Sequence, residues 1–154
     1  MKKIRKIAVE QNFAAISVGK LNELNEYELQ LGPDVKIPGK VFCSTALGTT
    51  GSEFSFQSFA PGTETGFLHS HKSHEELYFF LSGKGEFQVV GTVFPVEEGS
   101  VVRVSPAGKR SVRNNGTTPL LMLCIQYCSN TFSQEDATDG IILKEPVKWK
   151  VSPK

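Results

Sequence analysis

The run Gly66-Phe-Leu-His-Ser-His-Lys-Ser-His-Glu-Glu-Leu-Tyr-Phe-Phe-Leu-Ser-Gly-Lys-Gly85 holds all three histidines of the chain. His69 and His71 are one residue apart, so on an extended strand both rings point to the same face, with Cα atoms roughly 6–7 Å apart. Metal–nitrogen bonds of about 2.0–2.1 Å and the reach of two imidazoles let such a pair converge on one ion. Glu76 opens the next apolar strand and can bring a carboxylate to the same point. Two histidines and one carboxylate make a ligand set that leaves coordination positions open. Leu77-Tyr-Phe-Phe-Leu81 is a continuous apolar run, as expected of a strand covered on both faces. Ser82-Gly-Lys-Gly85 is a tight hairpin connection to Glu86-Phe-Gln-Val-Val90.

Strand and turn alternate on both sides of this run. Upstream, Val41-Phe-Cys-Ser-Thr-Ala-Leu47 reads as a strand ending at Gly48. Glu53-Phe-Ser-Phe-Gln-Ser-Phe59 alternates its phenylalanines at 54 and 56 and breaks phase at 59, as at a bulge. Downstream, Gly91 and Glu97-Glu98-Gly99 punctuate two further strands, and Asn114-Asn115-Gly116 is a turn before the apolar run Pro119–Tyr127. Short strands with Gly and Pro turns, and no long helical period, predict an all-β sandwich or barrel over 41–128. Residues 1–40 read as an N-terminal arm that packs on the barrel or on a partner subunit. It would carry short strands at Phe13–Val18 and Tyr27–Leu31 and a helical turn at Lys20–Asn25. Residues 129–154 read as a C-terminal loop followed by a strand, Ile141-Ile-Leu143, that completes the domain.

With 154 residues, 39% of them hydrophobic, the chain fits one domain with a sizeable core. A net charge of +1 leaves no electrostatic footprint for nucleic acid. The basic start Met1–Lys6 reads as a solvated end. Only Ile7-Ala8-Val9 separates it from Glu10-Gln11-Asn12, so it lacks the apolar region of a secretory signal. No stretch approaches the ~18 apolar residues of a membrane span. Cys43, Cys124 and Cys128 are an odd set without a CxxC pair. They read as buried free thiols of a cytoplasmic protein.

Pro61-Gly62, His69-x-His71, Glu76 and then six residues to Gly83 resemble the first signature motif of the cupin superfamily. The segment Gly99 to Asn115, with Pro106-Ala-Gly108 at its centre, resembles the second. The resemblance implies a double-stranded β-helix, a jelly-roll barrel whose interior can hold a metal and a small-molecule ligand. It also implies a metal bound by three histidines and one glutamate. Residue by residue, His69, His71 and Glu76 match the first three ligands, whereas the position of the last histidine holds Ser111.

Two readings follow. One keeps a divalent metal ion (Zn, Fe, Ni or Mn) on His69, His71 and Glu76, with water or substrate in the vacant positions. The other leaves a polar binding pocket without metal. His74, in the turn between the motif strands, is either a substitute ligand or a solvated side chain. Residue parity nominates Phe67 and Tyr78 as pocket walls beside Ser111, with Gln57 and Gln126 as hydrogen-bonding groups. Arg113 either pairs with Glu76 or an anionic substrate, or stands in solvent at the barrel mouth. The corresponding functions are a metal-dependent enzyme of oxygenase or isomerase type, or a non-catalytic module for a sugar-like or carboxylate-like ligand. The fold alone does not select between them. The apolar strands, the N-terminal arm and the habit of cupins suggest a homodimer, with an edge strand or the arm crossing between subunits.

Overall fold

The computed structural model describes residues 1–149. Two hairpins make up most of the arm: β1 (Arg5–Glu10) with β2 (Phe13–Ser17), and β3 (Glu28–Leu31) with β4 (Val35–Pro38), separated by a 3-10 turn at Leu21–Glu26. There follow β5 (Lys40–Phe42), a one-turn helix α1 (Ser44–Leu47), β6 (Ser52–Phe59), β7 (His74–Ser82) and β8 (Lys84–Val89). The chain continues through β9 (Thr92–Glu97), β10 (Val101–Val104), β11 (Arg110–Arg113) and β12 (Leu120–Cys128). A five-stranded antiparallel sheet, ordered β10-β7-β12-β6-β5, and a three-stranded sheet, β11-β8-β9, form the double-stranded β-helix. No helix among the described residues is long and apolar enough to cross a membrane.

The large sheet is apolar on both faces, and each face has its own core. Inward, Phe59, Tyr78, Phe80, Met122 and Leu120 meet Phe87, Val96 and Val112. Outward, Val41, Cys43 and Leu121 are covered by Val18, Leu24 and Tyr27 of the arm, with Phe54 and Phe56 packed alongside. The arm therefore packs on its own barrel. The phase change at Phe59 is not a bulge, because the β6–β12 ladder keeps one register throughout. Phe54 and Phe56 face the arm, and Phe59 faces the barrel interior.

The β7–β8 connection depends on a glycine. Gly83 has φ +84, and a Cβ there would lie 2.3 Å from the Pro119 carbonyl oxygen, so only glycine lets the hairpin close against β12.

Three features differ from expectation. The strand begun at Val41 stops at Phe42, and Ser44–Leu47 coils into α1, where the Ser44 hydroxyl donates to the Ser52 carbonyl at 2.9 Å. From 129 to 149 the described residues hold only a 3-10 turn at Asp136–Thr138. Ile141, Ile142 and Leu143 are exposed, with no neighbouring strand to take up their backbone groups. Residues 150–154 of that segment lie outside the described residues. Cys43 and Cys124 are buried free thiols, but Cys128, at the end of β12, is exposed.

Candidate metal centre

Alternation along β7 turns Glu76, Tyr78 and Phe80 into the barrel. The segment carrying His69 and His71 is extended but is not a full strand. An isolated bridge pairs His69 with Arg110, through backbone bonds of 3.0 and 3.3 Å. The His71 amide also donates to the Pro106 carbonyl at 2.9 Å. Those three bonds keep the i, i+2 relation of the histidines. Their rings lie 5.4 Å apart, edge to face.

One donor atom from each of His69, His71 and Glu76 lies within 4.8 Å of the other two. His71 Nε2 is 3.1 Å from Glu76 Oε1, and His69 Nε2 is 3.6 Å from Oε2. Two ligands about 2.1 Å from a shared ion are about 3.0 Å apart at a right angle and about 3.4 Å apart at a tetrahedral angle. The observed spacings are of that size. His69 Nδ1 and His71 Nε2 are buried without a hydrogen-bond partner, although His71 Nε2 is close to Oε1. His71 Nε2 thus approaches a carboxylate oxygen without a well-aligned hydrogen bond, and an ion between the two would satisfy both atoms. The donor set therefore fits a divalent transition ion on His69, His71 and Glu76.

The other side of Glu76 is already neutralised. Arg110, fully buried, donates from Nε to Oε2 at 3.0 Å and also from Nη2 to Oε2. Its Nη1 donates to the Gly108 carbonyl at 2.8 Å, and the Tyr78 hydroxyl donates to Oε2. Burial raises the Glu76 pKa, but the nearby His69 and the hydrogen bonds from Tyr78 and Arg110 outweigh it and hold the carboxyl well below the usual range. Burial pushes the Tyr78 phenol up and lowers the His71 imidazole. The buried Cys124 thiol, 3.6 Å from Glu76 Oε1, is pushed up to about 12 and is neutral. The centre thus sets one carboxylate and one guanidinium among the imidazoles, the phenol and the thiol. The guanidinium sits on the Oε2 side and does not occupy the Oε1 side.

Arg110 corrects the reading of the second motif. Residues directly opposite in an antiparallel pair share a face, so Arg110 shares the face of His69, and alternation along β11 buries Arg110 and Val112. Ser111 borders the cavity, but its side chain and that of Arg113 lie on the other face of β11. The inner position beside His69 belongs to Arg110. Arg113 is exposed and pairs with Glu86, not Glu76. Apolar Val112 marks the inward phase of the segment, and Arg110 is in phase with it. That signal was available in the sequence.

The cavity, about 290 Å³, is lined by Phe67, Gln57, Tyr78 and Gln126, together with the His69, His71 and Glu76 set. Leu31 and Ile37 of the β3–β4 hairpin form part of its wall. His74 is not brought into the cluster. It opens β7, with Nε2 3.8 Å from Cys128 Sγ. The sequence reading also missed Lys40, which borders the same cavity.

Fold and centre together define a small jelly roll with an inward-facing ligand set at one end of a pocket. A family model for the cupin domain matches residues 55–126. A cupin protein from Bacteroides fragilis, of known crystal structure, superposes with a TM-score of 0.65 at 31% identity, covering 76% of this chain and 96% of that one. The chain belongs to the cupin family. An uncharacterized protein of Methanocaldococcus jannaschii is 33% identical over 69 residues, 45% of this chain and 54% of the relative. An oxalate-binding protein of Thermotoga maritima is 32% identical over 72 residues, 47% of this chain and 59% of the relative. The chain spans a little over half the length of these two curated relatives.

Proposed function

We propose that this cupin binds a small molecule at a divalent-metal site made by His69, His71 and Glu76, and acts on it as a metal-dependent enzyme. The observation that carries the reading is the convergence of one donor atom each from His69, His71 and Glu76, with the buried His71 Nε2 unpartnered 3.1 Å from Glu76 Oε1. A bound divalent ion supplies Lewis-acid polarisation of an oxygen on the ligand. The chain supplies the rest. Glu76 presents Oε1 to His71 and Oε2 to His69, while Arg110 and Tyr78 also hold Oε2 and fix the carboxylate plane. Leu31, Ile37 and Phe67 give the cavity mouth an apolar wall for the ligand body. With only three protein donors, positions stay open for a ligand oxygen.

A second reading, ligand binding without metal, has one observation in its favour. Arg110 already gives Glu76 a buried cationic partner. The test is calorimetric titration of chelator-treated, untagged protein with Mn²⁺, Co²⁺, Ni²⁺ and Zn²⁺. Wild type is expected to take up about one ion per chain, and His69→Ala and His71→Ala to lose at least about tenfold in affinity. Absence of saturable uptake by wild type overturns the metal reading and leaves the metal-free one.

A further inference from the structure

Lys40 is a cation of the pocket with no counter-ion among the described residues. It stands on β5 directly opposite Gln57 of β6, and both residues border the cavity that holds His69, His71 and Glu76. Its Nζ lies 5.4 Å from the centre of the Phe42 ring. Phe42, exposed at the rim, is two residues further along β5 and lines the same cavity, so the half-buried amine extends along the strand at the pocket mouth.

The acidic groups of the pocket are engaged elsewhere. Glu76 is held by Arg110 and Tyr78. Glu53 accepts from the Ser44 and Phe54 amides at 3.1 and 3.0 Å. Glu53 is also four residues from Gln57 on β6, or about 13 Å along the strand. The Glu76–Arg110 pair cancels, and Lys40 leaves the cavity with one positive charge that no ion pair among the described residues compensates. Burial lowers the Lys40 pKa, and Glu76 partly restores it.

We propose that Lys40 is the anion anchor of this pocket, and that the ligand is a small monocarboxylic acid with an apolar body. Its carboxylate accepts from Lys40 Nζ and the Gln57 amide, and its body lies against Phe42, Phe67 and Met122. Its far end reaches toward His69, His71 and Glu76. One lysine matches one negative charge, which favours a carboxylate over a doubly charged phosphate. A charged oxygen facing the half-buried ammonium offsets the desolvation that the pocket wall imposes on it. The inference rests on the pocket being the ligand site, as proposed above, and not on metal being bound.

The experiment is calorimetric or NMR titration of wild-type protein, with and without saturating Zn²⁺, using butanoate, hexanoate, benzoate and phenylacetate beside their primary amides. Lys40→Met keeps the apolar stem and removes the charge, and Lys40→Arg keeps the charge. At least one acid is expected to bind wild type about ten- to hundredfold more tightly than its amide. Lys40→Met should lose that preference and Lys40→Arg should keep it, and both should still take up about one metal ion per chain. Equal binding of acid and amide, no saturable binding of any acid, or an unchanged preference in folded Lys40→Met each overturns the proposal. The acid–amide comparison on wild type stands even if Lys40→Met fails to fold. Acid binding that depends on His69 but not on Lys40 refutes the anchor and leaves the metal site intact. The reverse dependence supports the anchor, and the metal site is then judged by the metal titration alone.

Discussion

Arg110→Met is the perturbation that reaches furthest into the barrel. The arginine is fully buried, and it donates twice to Glu76 Oε2 and once to the Gly108 carbonyl. Methionine fills a similar volume but makes none of these bonds, so the variant buries a carboxylate that has lost its cation. Breaking a buried pair from one side costs about 3–5 kcal/mol. For a domain of this size that corresponds to a fall of about 6–20 °C in melting temperature. The pH dependence follows from the signs. In wild type the Glu76 pKa is depressed, so its contribution to stability is present above the unfolded value of 4.5 and lost as pH falls toward the lower folded value. In the variant, burial raises the carboxyl with less to oppose it, and protonation relieves the unpaired charge. The gap between the two proteins should therefore narrow as pH falls from 7 toward 4. Divalent metal should narrow it at pH 7 by supplying the missing positive charge. Circular dichroism melts at several pH values, with chelator and with Zn²⁺, measure all three effects. A metal-free variant melting within about 2 °C of wild type at pH 7 refutes the account of Arg110 as the buried partner of Glu76.

Arg110→His places an imidazole beside His69 on the inner face and removes the competing charge, so Zn²⁺ affinity should rise at least about tenfold by calorimetry. Ser111→His, on the other face of β11, should leave that affinity unchanged. Gly39 has φ +73, and a Cβ there would sit 2.4 Å from the Ser58 carbonyl oxygen. Gly39→Ala should cost at least about 2 kcal/mol in chemical denaturation and loosen the start of β5, where Lys40 stands. We also propose a homodimer, because the β1–β2 hairpin leaves Ile7, Val9 and Phe13 more than half exposed. Sedimentation at micromolar concentration should give twice the 16.9 kDa chain mass, and a single monomeric species would refute that.

Much of the barrel was legible because its strands obey a period of two and its turns carry Gly and Pro. The first motif was legible for the same reason: His69, His71 and Glu76 need only extended backbone to share a face. The second motif was less so. Position 111 follows from counting along a pattern, but the face of β11 is set by the pairing of His69 with Arg110, a contact between distant parts of the chain. A shift of one residue exchanges every side chain between core and solvent. That moved Ser111 and Arg113 to the other face and brought Arg110 to Glu76. Lys40 was hidden for a related reason. Val41 meets the arm while Lys40 and Phe42 line the cavity, an alternation that cannot be assigned until the arm is known to cover the outer face. The strand expected at Ile141–Leu143 shows the opposite limit, since three apolar residues pair only where a sheet edge is at hand.

The most direct test of the central claim is an anomalous difference map from a crystal grown with Mn²⁺ or Co²⁺. The account predicts one strong peak within about 2.0–2.3 Å of His69, His71 and Glu76 Oε1, with Arg110 still on Oε2. A well-ordered map at full metal concentration with no peak between those three side chains, or with the ion bound elsewhere, contradicts it.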